Sequence, residues 1–209
     1  MGDYVGGLLN PLLTFISLVL LIKSLALQNE ANADLRDEIK ITRKTEKLRS
    51  FEIQLFNMID SQRAAFESFR VSVSADVDVD VDERVILYGA EAVIRLELEV
   101  QRLKADCNDN SIIAALIEDY DPADRIYGHA RMFCNMVRII SEKLSGSNGF
   151  DLEDRNSHYL TLINFTDFSL LSLIMMSAKY LDYPSVQYLK TNEEFCAVLV
   201  EVGLSASVY

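Results

Sequence analysis

Tyr4-Val5-Gly6-Gly7-Leu8-Leu9-Asn10-Pro11-Leu12-Leu13-Thr14-Phe15-Ile16-Ser17-Leu18-Val19-Leu20-Leu21-Ile22 decides how the rest of the chain is read. These nineteen positions carry no charge. Wound as a helix rising about 1.5 Å per residue, they reach about 28 Å, close to the roughly 30 Å of bilayer hydrocarbon. From Leu12 to Ile22 only Thr14 and Ser17 interrupt the apolar surface, so no polar face exists to point at water. A buried core helix is the competing reading of such a run. A cleaved signal peptide is another, but it would need a basic opening, and this segment opens with Asp3. The sequence therefore predicts one transmembrane helix within residues 1–28, with Leu12, Phe15, Leu18, Leu21 and Ile22 facing lipid. Tyr4 sits at one interface, and Lys23 carries its ammonium out to headgroups at the other. Pro11 removes a backbone donor, so it either kinks this helix or starts it.

Lys23, Arg36, Lys40, Arg43 and Lys44 all follow the span and no Lys or Arg precedes it. That asymmetry predicts a single-pass protein whose C-terminal body is cytoplasmic. The whole chain is acidic, with 20 Lys and Arg against 32 Asp and Glu, a formal charge of −12. Such a surface is not built to grip nucleic-acid phosphates, so no direct nucleic-acid binding is expected. Cys107, Cys134 and Cys196 are far apart and odd in number, which points to free thiols rather than a disulfide framework or a zinc knuckle.

Residues 29–70 hold no Gly or Pro and predict a long stalk helix continuing from the membrane. Its second half carries a stripe at spacings of three and four: Leu48, Phe51, Leu55, Met58, Gln62, Ala65 and Phe69. Such a seam either packs on the chain's own body or pairs with other copies, giving a homo-oligomer. Phe56, Ile59 and Phe66 widen it, which favours packing on the body.

Residues 71–83 alternate valine first with serine and then, past Ala75, with aspartate. An extended strand would set the valines on one side and Asp76, Asp78, Asp80 and Asp82 on the other. A calcium loop of the EF-hand kind, counted from Asp76, needs Gly and Glu where Val81 and Leu87 stand. The expectation is an acidic linker or edge ribbon whose four aspartates are the candidate docking strip for a basic partner.

Helical periodicity resumes in residues 84–209, read as a helical cytoplasmic domain. Val85, Tyr88, Ala92, Leu96 and Leu103 share one face, and Asp121–Pro122 reads as a helix start. Residues 168–178 are apolar or hydroxylic throughout but too few to span lipid, and Asp167 and Lys179 close the ends. They predict the buried central helix. Pro184 reads as a break, and the Thr191-Asn192-Glu193-Glu194 capping box as the start of a last helix. The fold class expected is all-α.

No catalytic or cofactor motif stands out, and no metal-ligand spacing. Arg125 and His129 share a helix face and resemble the Arg and His pairs of HEPN-type ribonucleases. Those pairs enclose at least four residues where this one encloses three, so it is read as structural.

The order of parts resembles the phage abortive-infection family of the AbiC-like group. The matching pieces are Ser50-Phe51-Glu52-Ile53-Gln54-Leu55-Phe56-Asn57-Met58-Ile59, then Tyr127 to Phe133 with Arg131, then Tyr159-Leu160-Thr161-Leu162 leading to the apolar run at 168–178. The chain departs from the group in having one evident span where members often have two, and in not carrying the acidic residue that the group's pattern expects near Ser169. The resemblance implies a defence effector of the bacterial inner membrane that oligomerises and disrupts the bilayer. Similar membrane proteins are the toxic components of retrons. A partner would then be a reverse transcriptase with its DNA–RNA hybrid, contacted through protein. The residues alone leave open a membrane-tethered adaptor instead.

Overall fold

The computed structural model describes residues 2–74, 84–107, 109–121 and 123–204, with backbone alone for residues 2–9, 74 and 84. Among them are eight α-helices and two short strands, and helix accounts for 84% of the structure. The fold is all-α, as the sequence predicts.

Helix α1 runs Gly2–Glu67. Pro11 lies inside it and does not end it, and the Thr14 hydroxyl donates to the Asn10 carbonyl at 2.7 Å. The helix belongs to two compact units, Met1–Arg49 and Ser50–Tyr209. In the first unit every residue whose side chain is described is exposed except the half-buried Leu48. It is long and apolar enough to cross a membrane, and none of its most apolar window is buried.

The second unit begins inside the segment read as a stalk. From Ser50 onward α1 buries Phe51, Leu55, Ile59, Gln62 and Phe66. The seam is thus used within the chain, as the width of the stripe implies. The helix stops at Glu67, three residues short of the expected end, where Phe69 N–H bonds the Phe66 carbonyl and Phe69 turns inward at 1% exposure.

Strand β1, Arg70–Ser74, then pairs antiparallel with β2, Arg84–Tyr88, matching Val71 to Leu87 and Val73 to Val85. The alternation expected from residue 71 holds in β1, where Val71 and Val73 are buried and Ser72 is exposed. The expectation fails in β2. Val85 and Tyr88 read as the first positions of a helical face, but Arg84-Val85-Ile86-Leu87-Tyr88 is a strand. Its β-branched and aromatic side chains suit a pleated, half-buried surface, and β1 offers the backbone partners that a helix would otherwise supply internally. Gly89 makes the corner into α2 (Gly89–Asp106) at φ +48°, a left-handed conformation that a Cβ would strain. Its N–H bonds the Phe69 carbonyl at 2.8 Å.

Helix α3, Asn110–Tyr120, is capped by Asp109, which accepts from the Ser111 N–H. The start signal at Asp121–Pro122 is displaced. Helix α4 is Arg125–Lys143, and Pro122 lies outside the described residues. Asp121 still caps it from a distance, its two carboxylate oxygens accepting from the N–H groups of Arg125 and Ile126 at 2.8 and 2.7 Å. The carboxylate spends its hydrogen bonds on the orphan donors of the first turn, so the helix starts where those donors are.

A full capping box between Asp151 and Asp154 opens α5, Leu152–Phe165. Asp167 caps α6, Phe168–Tyr180, and the two helices meet at a bend of 111°. Every side chain of α6 from Leu170 to Ala178 is buried. This is the central helix the sequence predicts, touching α2, α3, α4 and α7. Pro184 proves to open a helix rather than only break one: α7 is Pro184–Thr191, with proline in the first turn, where its missing N–H costs nothing. Asn192, not Thr191, caps α8, Glu193–Glu201. Small residues let α4, α6 and α7 approach closely through Ala130, Ala178 and Val186.

Candidate functional site

Two features stand apart from the core. One is the apolar part of α1. Among its candidate lipid-facing residues, exposure runs from 52% at Leu18 to 66% at Phe15, with Leu12, Leu21 and Ile22 between. Lys23 is exposed at the end of the run, and the side chain of Tyr4 lies outside the described residues. Fully burying a Leu, Ile or Phe is worth about 1.5–3 kcal/mol. Nine large apolar side chains between Leu12 and Ile22 are exposed. Leaving them in water forgoes on the order of 10 kcal/mol, comparable to the stability of a whole domain. This is not a core helix of its own chain.

The second feature is a cleft in the body of about 720 Å³, where the end of α1, the start of β1, the end of β2 and the first turns of α4 meet. Arg70, Arg125 and Arg131 line it together with Ser68, Phe69, Tyr88, Gly128, His129 and Met132, and Glu67 is its one carboxylate. Arg125 donates to the Ser68 carbonyl at 3.4 Å, and the Arg131 guanidinium sits over the Tyr127 ring at 5.6 Å. None of the three guanidiniums forms an ion pair with a carboxylate among the described residues.

His129 forms the wall of this cleft toward α1. Its ring meets Phe66 and Phe69 edge-on at 5.9 and 5.6 Å, and its backbone carbonyl accepts from the buried Gln62 amide at 3.2 Å. Burial, and then the charge of Arg125, hold its pKa below the ordinary histidine value of 6.5. The ring is therefore neutral near pH 7. The His129 ring thus belongs to the packing between α1 and α4.

The family-like positions divide between core and surface. Phe51 is buried against His158 at 5.3 Å, whereas Phe56 is 41% exposed and meets Phe165 edge-on at 5.6 Å. Tyr127 packs edge-on with Tyr183 at 4.9 Å and carries Arg131 on its other contact. Tyr159 is fully buried. Its hydroxyl shares a 2.6 Å hydrogen bond with Ser141, which also meets the Tyr188 hydroxyl and accepts from the Asn192 amide, each at 3.1 Å. That knot ties α4, α5, α7 and α8 together. Beside it Arg155 grips Glu194 through two hydrogen bonds of 2.7 Å. Sequence reasoning missed both, because they join positions 39 and 51 residues apart that no local pattern relates.

Of the stripe, Leu55 and Phe69 are buried with Phe51, while Leu48 and Met58 are half-buried. Asp76, Asp78, Asp80 and Asp82 lie outside the described residues. Among the described residues no group of His, Cys, Asp or Glu could hold a metal ion. Comparison with protein-family models, curated proteins and solved structures finds no match to this chain.

Proposed function

We propose that this chain is a single-pass membrane protein of the bacterial inner membrane with its helical body in the cytoplasm, acting as an abortive-infection effector that damages the bilayer. The observation that carries the reading is the apolar window of α1, none of which is buried by the chain's own fold. The basic residues that follow it and the parts shared with the AbiC-like group supply the orientation and the setting. One helix per chain cannot line a pore, because a single helix surrounded by lipid encloses no water-filled lumen, so the damage requires several copies. A retron reverse transcriptase bound to its DNA–RNA hybrid is the partner this setting suggests, with contact through protein. Inducible expression with a membrane-potential dye tests the idea. The full chain should depolarise cells and a version lacking residues 1–27 should not. Equal growth arrest by both, without depolarisation in either, rejects it.

A second reading, a tethered adaptor, is favoured by the hairpin. Residues 75–83, with all four aspartates, join two strands that are paired along their whole length. Replacing Asp76, Asp78, Asp80 and Asp82 by Asn should then abolish capture of a basic partner while membrane attachment persists. Undiminished capture rejects the adaptor.

A further inference from the structure

We propose that the cleft between the end of α1, the hairpin and α4 binds a small phosphate-bearing ligand. This site lies wholly within the body and is independent of the membrane reading.

Charge is the first ground. In a chain of net charge −12, carboxylates are the commoner neighbours, yet Arg70 from β1 and Arg125 and Arg131 from α4 line one cleft with no carboxylate at ion-pair distance among the described residues, Asp121 acting on Arg125 only from farther off. Like charges gathered this way repel one another, and an anion between them removes the repulsion. Planar guanidiniums match the oxygens of a phosphoryl group in pairs, which a lone ammonium does not.

Space is the second ground. Gly128 sits in the first turn of α4 and lines the cleft, and a Cβ built there would meet nothing within 4 Å. A glycine inside a helix costs about 1 kcal/mol relative to alanine. Here it keeps the floor open beside the arginines, so a ligand can approach the helix backbone. The accessible apolar and aromatic walls are Tyr88, 51% exposed, and Met132, against which a flat ring can lie. A volume of about 720 Å³ is that of a small-molecule site. Apolar walls with a few convergent cations suit a phosphate carried on an organic body better than a bare anion. A nucleotide has that chemistry, and so does a phospholipid headgroup.

The test uses the full chain in nanodiscs of neutral phosphatidylcholine, titrated calorimetrically with ADP, pyrophosphate and adenosine. ADP should bind saturably, pyrophosphate should compete with it, and adenosine should bind at least tenfold more weakly. Arg70→Gln and Arg131→Gln, both at exposed positions, should each weaken ADP at least tenfold, and Arg102→Gln on the far helix α2 should not. Gly128→Leu should block ADP while leaving the thermal midpoint unchanged or higher, which separates a filled cleft from an unfolded chain. Repeating the titration in discs containing phosphatidic acid identifies the source. A fall in apparent ADP affinity that Arg131→Gln abolishes assigns the site to lipid headgroups, and no fall assigns it to a free ligand. Absence of saturable ADP and pyrophosphate binding at millimolar concentration overturns the proposal. So does binding that Arg70→Gln, Arg131→Gln and Gly128→Leu all leave intact.

Discussion

Residues 12–22 and residues 168–178 are both eleven positions long and uncharged, and they have opposite surroundings. The second stretch forms most of α6, where everything from Leu170 to Ala178 is buried by four neighbouring helices. The first is exposed along its whole length. Apolar content cannot separate them, but their flanks do. Asp167 caps the first turn of α6, accepting from the N–H groups of Ser169 and Leu170, and Lys179 lies in its last turn. Charge thus limits that run to the width of a small core. Residues 4–11 instead extend the first run uncharged to bilayer length. One apolar run is covered by protein, and the other is not.

The most direct way to break this contrast is one charge in each run. Leu173→Asp places a carboxylate at a position 1% exposed, which should cost more than about 4 kcal/mol and leave the body unfolded by circular dichroism. Leu18→Asp should leave the thermal midpoint of the body within the error of the measurement while releasing chains from membranes in a flotation assay. A matching loss of midpoint with Leu18→Asp would mean that residues 12–22 pack on protein after all.

A smaller effect sharpens the border within α1. Leu55 is fully buried and Ile41 is 68% exposed on the same helix. Leu55→Ala should cost about 2–4 kcal/mol in urea unfolding, and Ile41→Ala less than about 0.5 kcal/mol. Comparable losses would show that the stretch before Ser50 contributes to the folded body.

These contrasts explain what the sequence made legible. The apolar run at 12–22, the stripe from Phe51 to Phe66 and the central helix are continuous or periodic patterns, and burial follows directly from the last two. The second strand was not legible. Val85 and Tyr88 fit a helical period as well as a pleat, and the choice rests on pairing with Arg70–Ser74, a nonlocal fact. The cleft was hidden for the same reason. Arg70, Arg125 and Arg131 look like scattered surface charges until the hairpin and α4 bring them together.

Tyr159→Phe probes the knot in the body, which has no counterpart in the exposed helix. Removing the hydroxyl leaves Ser141 with its bonds to the Val137 carbonyl, Tyr188 and Asn192 but without the one to Tyr159. A buried hydrogen bond of this kind is worth about 1 kcal/mol, read as a shift in urea midpoint at unchanged slope. A change in slope would mean that the knot holds α8 in place, so that its loss exposes more than one bond.

The smallest effect is a pH dependence that belongs to the body alone. His129 is 7% exposed, with Phe66 and Phe69 against its ring and Arg125 as the cation facing it. Its folded pKa lies below 6.5 because burial, and then Arg125, disfavour the imidazolium. The unfolded chain therefore takes up this proton first as pH falls. Stability is complete above 6.5, declines below it, and levels once pH passes the lower folded value. Glu194, held down by its hydrogen bonds to Arg155, loses its contribution only below the ordinary glutamate value of 4.5. Between pH 7.5 and 5.5 the slope due to His129 is thus separated from that pair. Urea midpoints should show the chain losing at most about 1 kcal/mol over this interval, and His129→Gln should flatten the dependence. An unchanged slope in the variant would place the titrating group elsewhere. A phosphate in the cleft would favour the imidazolium and shrink the same slope, so ADP at saturating concentration should flatten the wild-type profile and leave that of Arg131→Gln as it was.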